Sequence, residues 1–364
     1  MTTNLFTPIA LGPQTLPNRI VVSPMCQYSA DEGCATDWHL VHWGQFALSG
    51  AGLLMIEATG VNPEGRITPG CLGLWNDAQE AAIADRLARV REFSDMAFGI
   101  QIGHAGRKAS AFRPWEGPGH YAPGQGGWVP KAPSALPFAE DWPVPEAMTE
   151  DEIAAVVDDF AATAQRAVRL GLKVIEIHAA HGYLLSSFLS PLANRRDDRY
   201  GGTDENRRRL PLEVFAAVRA VCPDDVAVGM RFNGTDWVEG GLGADDAVAL
   251  ARALHQMGAD FVDVSSGGNA PAKIPVGPGY QLPFASRIRR EVGIRTIAVG
   301  MIRSPLHAES IITGGEADMV ALARGFINDP RWPWHAAEVL GHAIDVAPQY
   351  RMGATSLNRP AAAR

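Results

Sequence analysis

The chain has 364 residues, 46% hydrophobic, 20% charged and 8% aromatic, a globular composition that excludes disorder, collagen-like repeats and a disulfide scaffold. Lys and Arg number 32 against 40 Asp and Glu, a formal net charge of −8, and an acidic surface argues against nucleic acid as a partner. The four cysteines, Cys26, Cys34, Cys71 and Cys222, form no CxxC pair, so neither a regular iron–sulfur or zinc framework nor secreted-protein usage is read.

The opening MTTNLFTPIALG carries no basic stretch followed by an apolar one, so no signal peptide is expected. No apolar run approaches the roughly 18–20 residues that span a bilayer, and a cytoplasmic location follows as an expectation. Short apolar β-type runs then recur at residues 20–22, 53–57, 98–101, 174–178, 226–231, 261–265, 296–299 and 319–321. Similar lead-ins introduce three of them: Gly50-Ala51-Gly52, Gly171-Leu172-Lys173 and Gly258-Ala259-Asp260. Near-continuous apolar strands indicate burial on both faces, as in a parallel sheet. Eight such units alternating with helices predict an α/β fold, a (β/α)8 TIM barrel with long excursions between strand and helix.

The helices show starts and faces. Thr149 with Glu152 three residues later forms a capping box, and Ile153, Val156, Val157, Phe160 and Ala164 then follow as one stripe. Residues 245–257 and 304–312 read similarly. The connection 104–148 is anomalous, rich in Gly and Pro, with Trp115, Trp128 and Trp142 spread through it. A loop after a barrel strand lies on the active-site face, so a lid, a subunit contact and surface decoration are the readings for it. No linker divides residues 1–364, and one domain is expected.

Several familiar motifs are absent: GxGxxG after a strand, GxxxxGK[ST], HExxH and GxSxG. Polar residues gather instead at strand C-termini, where a barrel builds its site. Cys26 and Tyr28 follow the first strand, Gln101 ends the third, His178 and His181 end the fourth, Arg231 ends the fifth and Arg324 follows the eighth. The strongest local signal is His178-Ala179-Ala180-His181-Gly182-Tyr183. If the chain turns helically there, the spacing puts both imidazoles on one side. Two neutral N–H donors can then polarise a carbonyl or nitro oxygen, and Tyr183 offers a phenol proton. A zinc pair is the rival, weakened by the lack of a third ligand at metal-site spacing.

Ser23-Pro24-Met25-Cys26-Gln27-Tyr28 and the HAAHGY segment resemble the old yellow enzyme family of FMN-dependent ene-reductases and NADPH dehydrogenases. So does the run from Ser190-Pro191-Leu192-Ala193-Asn194-Arg195 through Asp198, Tyr200-Gly201-Gly202 and Glu205-Asn206-Arg207. The resemblance spans nearly the whole chain, and the Cys26 motif with paired histidines is similar to the xenobiotic-reductase or thermophilic-like branch. It implies that Ser23, Pro24, Met25 and Ala58 line the isoalloxazine, with Cys26 near C4=O and N5 tuning its potential. It also places Arg231 beside N1 and the C2 carbonyl, where a permanent cation suits a reduced ring, and Gln101 along the pyrimidine edge. Gly300 after strand seven, with Ala323 and Arg324 after strand eight, would hold the phosphate.

The implied reaction is ping-pong. NADPH or NADH reduces tightly bound FMN, then an activated alkene or nitro compound takes the hydride from N5. His178 and His181, with Tyr28, would hold the substrate oxygen, and Tyr183 would protonate the α-carbon. A homodimer or homotetramer is implied, with tail 343–364 reaching a neighbouring subunit. Here the chain departs from the family: Met352, beside Arg351, stands where relatives often carry an Arg, and Met301 where some carry a Trp. The Arg195–Arg199 and Arg207–Arg209 clusters read as ion-paired structure beside Asp197, Asp198, Asp204 and Glu205. The alternatives are a dihydrouridine synthase-like RNA-modifying barrel, opposed by the charge and the HAAHGY segment, and a non-catalytic barrel that binds flavin or a small ligand.

Overall fold

The computed structural model describes residues 3–354. Its frame is a closed barrel of eight parallel strands: β1 (Ile20–Val22), β2 (Leu53–Gly60), β3 (Ala97–Gly103), β4 (Val174–Ala179), β5 (Ala227–Asn233), β6 (Phe261–Ser265), β7 (Arg295–Ala298) and β8 (Met319–Leu322). Each predicted run is one of these strands. They follow chain order around the barrel, and the seam closes where Val320 pairs with Ile20 and Leu322 with Val22. Every residue of β1, β4, β5 and β6 is buried, because helices cover the outside and side chains fill the inside.

Between the strands run α1 (Asp37–Ala47), α2 (Asp77–Arg91), α3 (Glu150–Arg169), α4 (Asp204–Val221), α5 (Ala244–Gln256), α6 (Leu282–Val292) and α7 (Pro305–Thr313), and α8 (Trp332–Leu340) follows the last strand. The capping box forms as predicted. Glu152 N–H donates to Thr149 Oγ1 at 3.2 Å, and Thr149 N–H donates to Glu152 Oε2 at 2.8 Å. The arginine clusters enter ion pairs: Arg196 with Asp198, Arg207 with Asp204 and Arg199 with Glu150.

The N-terminal mouth of the barrel is plugged. Ile9–Leu11 and Gln14–Leu16 form an antiparallel hairpin, and Ile9, Leu11 and Leu16 join Val21, Leu53, Met55, Val174, Phe261 and Met319 in one apolar cluster. Gly12 turns the hairpin at φ 56°, and a Cβ there would lie 2.3 Å from Asp260 Oδ1, so the site admits only glycine without rearrangement. The hairpin lies upstream of the first predicted strand, and three-residue strands are too short to display a period.

The other mouth is crossed by residues 104–148, which contain the turns Gly106–Lys108 and Pro114–Glu116 and a parallel pair, Lys131–Ala132 with Glu146–Ala147. Arg113 Nε donates to Tyr28 O at 3.1 Å, and Trp128 Nε1 donates to Glu64 O at 2.9 Å. The segment is thereby tied to the loops after β1 and β2. Beyond α8, Tyr350 packs edge-on against Trp334, Arg351 is exposed, and Met352 is 89% exposed. Residues 355–364 of the tail lie outside the described residues. Among the described residues, no helix is long and apolar enough to cross a membrane.

Candidate active site

The loop after β1 starts from the barrel seam, where Ser23 N–H donates to Leu322 O at 3.0 Å. Gln27 N–H donates to Glu57 Oε2 at 2.8 Å, and Gln27 Nε2 donates to Met25 O at 2.8 Å. These bonds and the Arg113 contact hold Tyr28 at φ 52°, a strained conformation for an aromatic residue. The half-buried Cys26 lies beside Ala58, whose backbone favours the thiolate only weakly. Burial, then Cys71 and Glu57, push the Cys26 thiol well above its ordinary range. Pro24 is half-buried beside the buried Met25.

His178 is the penultimate residue of β4. Ala180 N–H donates to its Nδ1 at 3.2 Å, and an amide can only donate, so Nε2 carries the ring hydrogen. The chain does not then turn helically, the condition on which the i,i+3 spacing would set both imidazoles on one side. His181 instead adopts φ 61°, and its N–H donates to Asn233 Oδ1 at 3.1 Å. Gly182 makes this path possible, since a Cβ there would sit 1.8 Å from Gly268 O. The two imidazoles still meet, with ring centroids 5.1 Å apart and planes perpendicular. His181 Nε2 lies 2.6 Å from Ser265 Oγ. Burial, then the charge of Arg231, keep both rings neutral by lowering their pKa values well below the usual imidazole range.

Tyr183 precedes the short helix Leu184–Leu189, and its ring centroid lies 5.0 Å from that of His178. Burial, then Cys26, raise both the Tyr183 and Tyr28 phenols, so each keeps its proton at neutral pH. Lys108 completes this corner and is absent from the sequence reading. Its Nζ donates to His181 O at 2.9 Å and sits 5.3 Å from the Tyr183 ring centroid. Burial pushes its pKa down to about 8. The available signal was a lysine soon after a strand end, and nothing in the pattern told it from a surface lysine.

A polar layer lies within the barrel: Gln101 on β3, Glu176 on β4, Arg231 on β5 and Asp263 on β6, all buried. Arg231 Nη1 donates to Ser23 Oγ at 3.3 Å, while its Nε, although buried, has no hydrogen-bond partner among the described residues. From Arg231 a cleft of about 170 Å³ runs past Gly300, Met301, Arg303, Ala323 and Arg324. Gly300 adopts φ 130°, while Arg303 and Arg324 are exposed at its mouth. Three guanidinium groups on one cleft, one of them with an unpartnered N–H, match an anionic cofactor carrying a phosphate at one end. Arg303 too is absent from the sequence reading. A second, nearly filled pocket, of about 10 Å³, is lined by Ala58, His104, His178 and Tyr183. Of the predicted site residues, His181, Arg231, Gly300, Ala323 and Arg324 line the cleft and Ala58, His178 and Tyr183 line the second pocket, while Ser23, Pro24, Met25, Cys26, Tyr28 and Gln101 line neither.

A parallel barrel with a cationic cleft after strands seven and eight, and an imidazole–phenol corner beside it, defines a cofactor-dependent barrel enzyme. A profile of the NADH:flavin oxidoreductase / NADH oxidase family matches residues 4–342. An NADPH dehydrogenase of Geobacillus thermodenitrificans is 45% identical over 355 residues, covering 97% of this chain and 99% of that one. An NADPH dehydrogenase of Listeria innocua is 42% identical over 348 residues, covering 95% and 98%. Among solved structures, morphinone reductase superposes with a TM-score of 0.78 at 30% identity, over 95% of this chain and 91% of that one. The chain belongs to the NADH:flavin oxidoreductase / NADH oxidase family and is a flavin-dependent NAD(P)H oxidoreductase of the old yellow enzyme type.

Proposed function

We propose that the protein uses tightly bound FMN and NADPH or NADH to reduce activated C=C bonds in enones, maleimides and nitroalkenes, and nitro compounds as well. The observation that carries this reading is the His178 Nε2 hydrogen, fixed by the Ala180 amide beside the Tyr183 phenol. When bound, FMN supplies a two-electron hydride carrier that NAD(P)H reduces. Arg303, Arg324, Gly300 and Ala323 would hold its phosphate end, and Arg231 and Gln101 its ring, with Ser23, Pro24, Met25, Cys26 and Ala58 lining the ring's other edges.

The remaining roles follow from the chain's own groups. His178, joined by His181 if it releases Ser265, donates to the substrate oxygen and draws electron density from the conjugated double bond. Neutral imidazoles serve here because burial beside Arg231 disfavours a further positive charge. Tyr183 keeps its proton until a carbon acceptor forms and then delivers it, while Tyr28 adds a donor from the facing loop. Segment 104–148, anchored to the Tyr28 carbonyl, shields the corner from water. An anaerobic visible spectrum tests the reading. The flavin should bleach with NADPH and return with 2-cyclohexenone, whereas a bleached flavin that the enone leaves unchanged would discard the substrate class.

A further inference from the structure

One cation and two carboxyls share the barrel interior beneath the cleft. Arg231 is in register with His178 on one side and Asp263 on the other, and Glu176 is in register with Gln101. Glu176 is 1% exposed and Asp263 2%. Asp263 Oδ1 stands 3.6 Å from Arg231 Nε and has no hydrogen-bond partner among the described residues. Were both carboxyls ionised, the layer would bury an uncompensated negative charge at a cost of several kcal/mol. A proton on the layer removes that cost, so wherever the pH leaves both carboxyls ionised the layer is ready to take one up. Burial, then Asp263, raise the Glu176 pKa against the opposing effects of Arg231 and the Gln101 hydrogen bond. Burial also raises Asp263, with Arg231 opposing.

The geometry gives that proton a consequence. Gln101 Nε2 donates to Glu176 Oε1 at 2.7 Å, the one hydrogen bond of the Gln101 side chain among the described residues. An ionised carboxylate can only accept, so it holds the amide nitrogen inward and leaves the amide oxygen for a ligand. A protonated carboxyl can donate to that oxygen instead. The amide then turns over and offers two N–H groups to the ligand, the better match for a negatively charged ring edge.

We propose that Glu176 is a positioning residue whose proton decides which end of the Gln101 amide meets the bound flavin, so that the protein takes up one proton as the ring gains negative charge. This rests on the reading of the chain as a flavin-dependent oxidoreductase. NAD(P)H gives up a hydride, two electrons with one proton, and leaves the ring one unit more negative; a proton from solvent then joins the Glu176 carboxylate. When an acceptor removes the hydride, Glu176 returns its proton to solvent. The charged and titratable groups facing Glu176 are Arg231 of β5 and Asp263 of β6, with the neutral His178 two residues along its own strand.

The test is the flavin midpoint potential of the FMN-loaded protein, titrated across neutral and mildly alkaline pH, for the wild type and Glu176→Gln. One proton per two electrons adds about 30 mV per pH unit. The wild-type potential should fall more steeply than that of the variant by that amount wherever Glu176 titrates, and equal slopes would overturn the proposal. If the variant does not fold, a reduced-minus-oxidised infrared spectrum of the wild type decides. A protonated-carboxyl stretch that grows on reduction and shifts in D2O supports the proposal, and its absence defeats it. A protein that binds no FMN, or whose flavin NAD(P)H cannot bleach, defeats the functional reading and this inference together, whereas normal reduction with equal slopes defeats this inference alone.

Discussion

The two mouths of the barrel are built from the same strands and treated in opposite ways. At the N-terminal mouth, Ile9, Leu11 and Leu16 press apolar side chains onto Val21, Leu53 and Phe261. Toward the C-terminal mouth, the same strands carry Gln101, His178, Arg231 and Ser265, and Arg231 Nε and Asp263 Oδ1 are buried with no hydrogen-bond partner among the described residues. The plugged end lowers free energy by removing apolar area from water, about 25 cal/mol per Å². The open end is held in conformations that cost energy, including φ 52° at Tyr28 and φ 61° at His181. One end contributes the stability that the other consumes.

Substitutions can break that contrast. The largest effect is expected from replacing His178 and His181 together by alanine. Removing one donor to a developing oxyanion costs about 10²–10³ in rate, so stopped-flow reoxidation by an enone should slow by at least that factor, with flavin content unchanged. Tyr183→Phe should slow the same half-reaction by about 10²–10⁴ and leave reduction by NADPH intact. A Tyr183→Phe protein with wild-type reoxidation would remove Tyr183 from the proton path.

At the plugged end the readout changes from rate to stability. Leu11→Ala should lower unfolding free energy by about 2–5 kcal/mol in denaturant titration, with KM for the oxidant unmoved. A shift in KM would show the two ends to be coupled. The smallest effect tests Lys108, whose folded-state pKa is lowered to about 8. A lysine depressed in the fold binds its proton less well there than when unfolded, so it destabilises the protein below about pH 8 and is relieved as pH rises toward its ordinary value. Relative to Lys108→Met, the wild type should gain at most about 3 kcal/mol across that alkaline range. A gap that does not change with pH would mean that the lysine is not desolvated.

The barrel was legible because its strands are buried on both faces and read as nearly unbroken apolar runs, from 53–57 through 319–321. The positions of Gln101, His178 and Arg231 were legible for a related reason, since polar side chains interrupting such runs at their ends have no place in a core. Three features were not. The plug consists of strands too short to show alternation. The path through His181 and Gly182 depends on Gly268, 86 residues further along the chain, approaching closely enough to exclude a helical turn. Lys108 acquires its meaning only when the segment after β3 folds back over Tyr183, and no local pattern encodes that return.

The seam between β8 and β1 bears on how the molecule assembles. Val320 pairs with Ile20 and Leu322 with Val22, so the first strand lacks one neighbour until synthesis has passed residue 322, some 300 residues later. Until then both flanks of the growing sheet expose unpaired amides and carbonyls, the template on which strands of other chains can add. Contacts that join sequence-distant ends also form slowly, because loop closure must precede them. Shortening the chain from its C-terminal side into β8 is therefore expected to yield aggregates rather than a smaller folded enzyme.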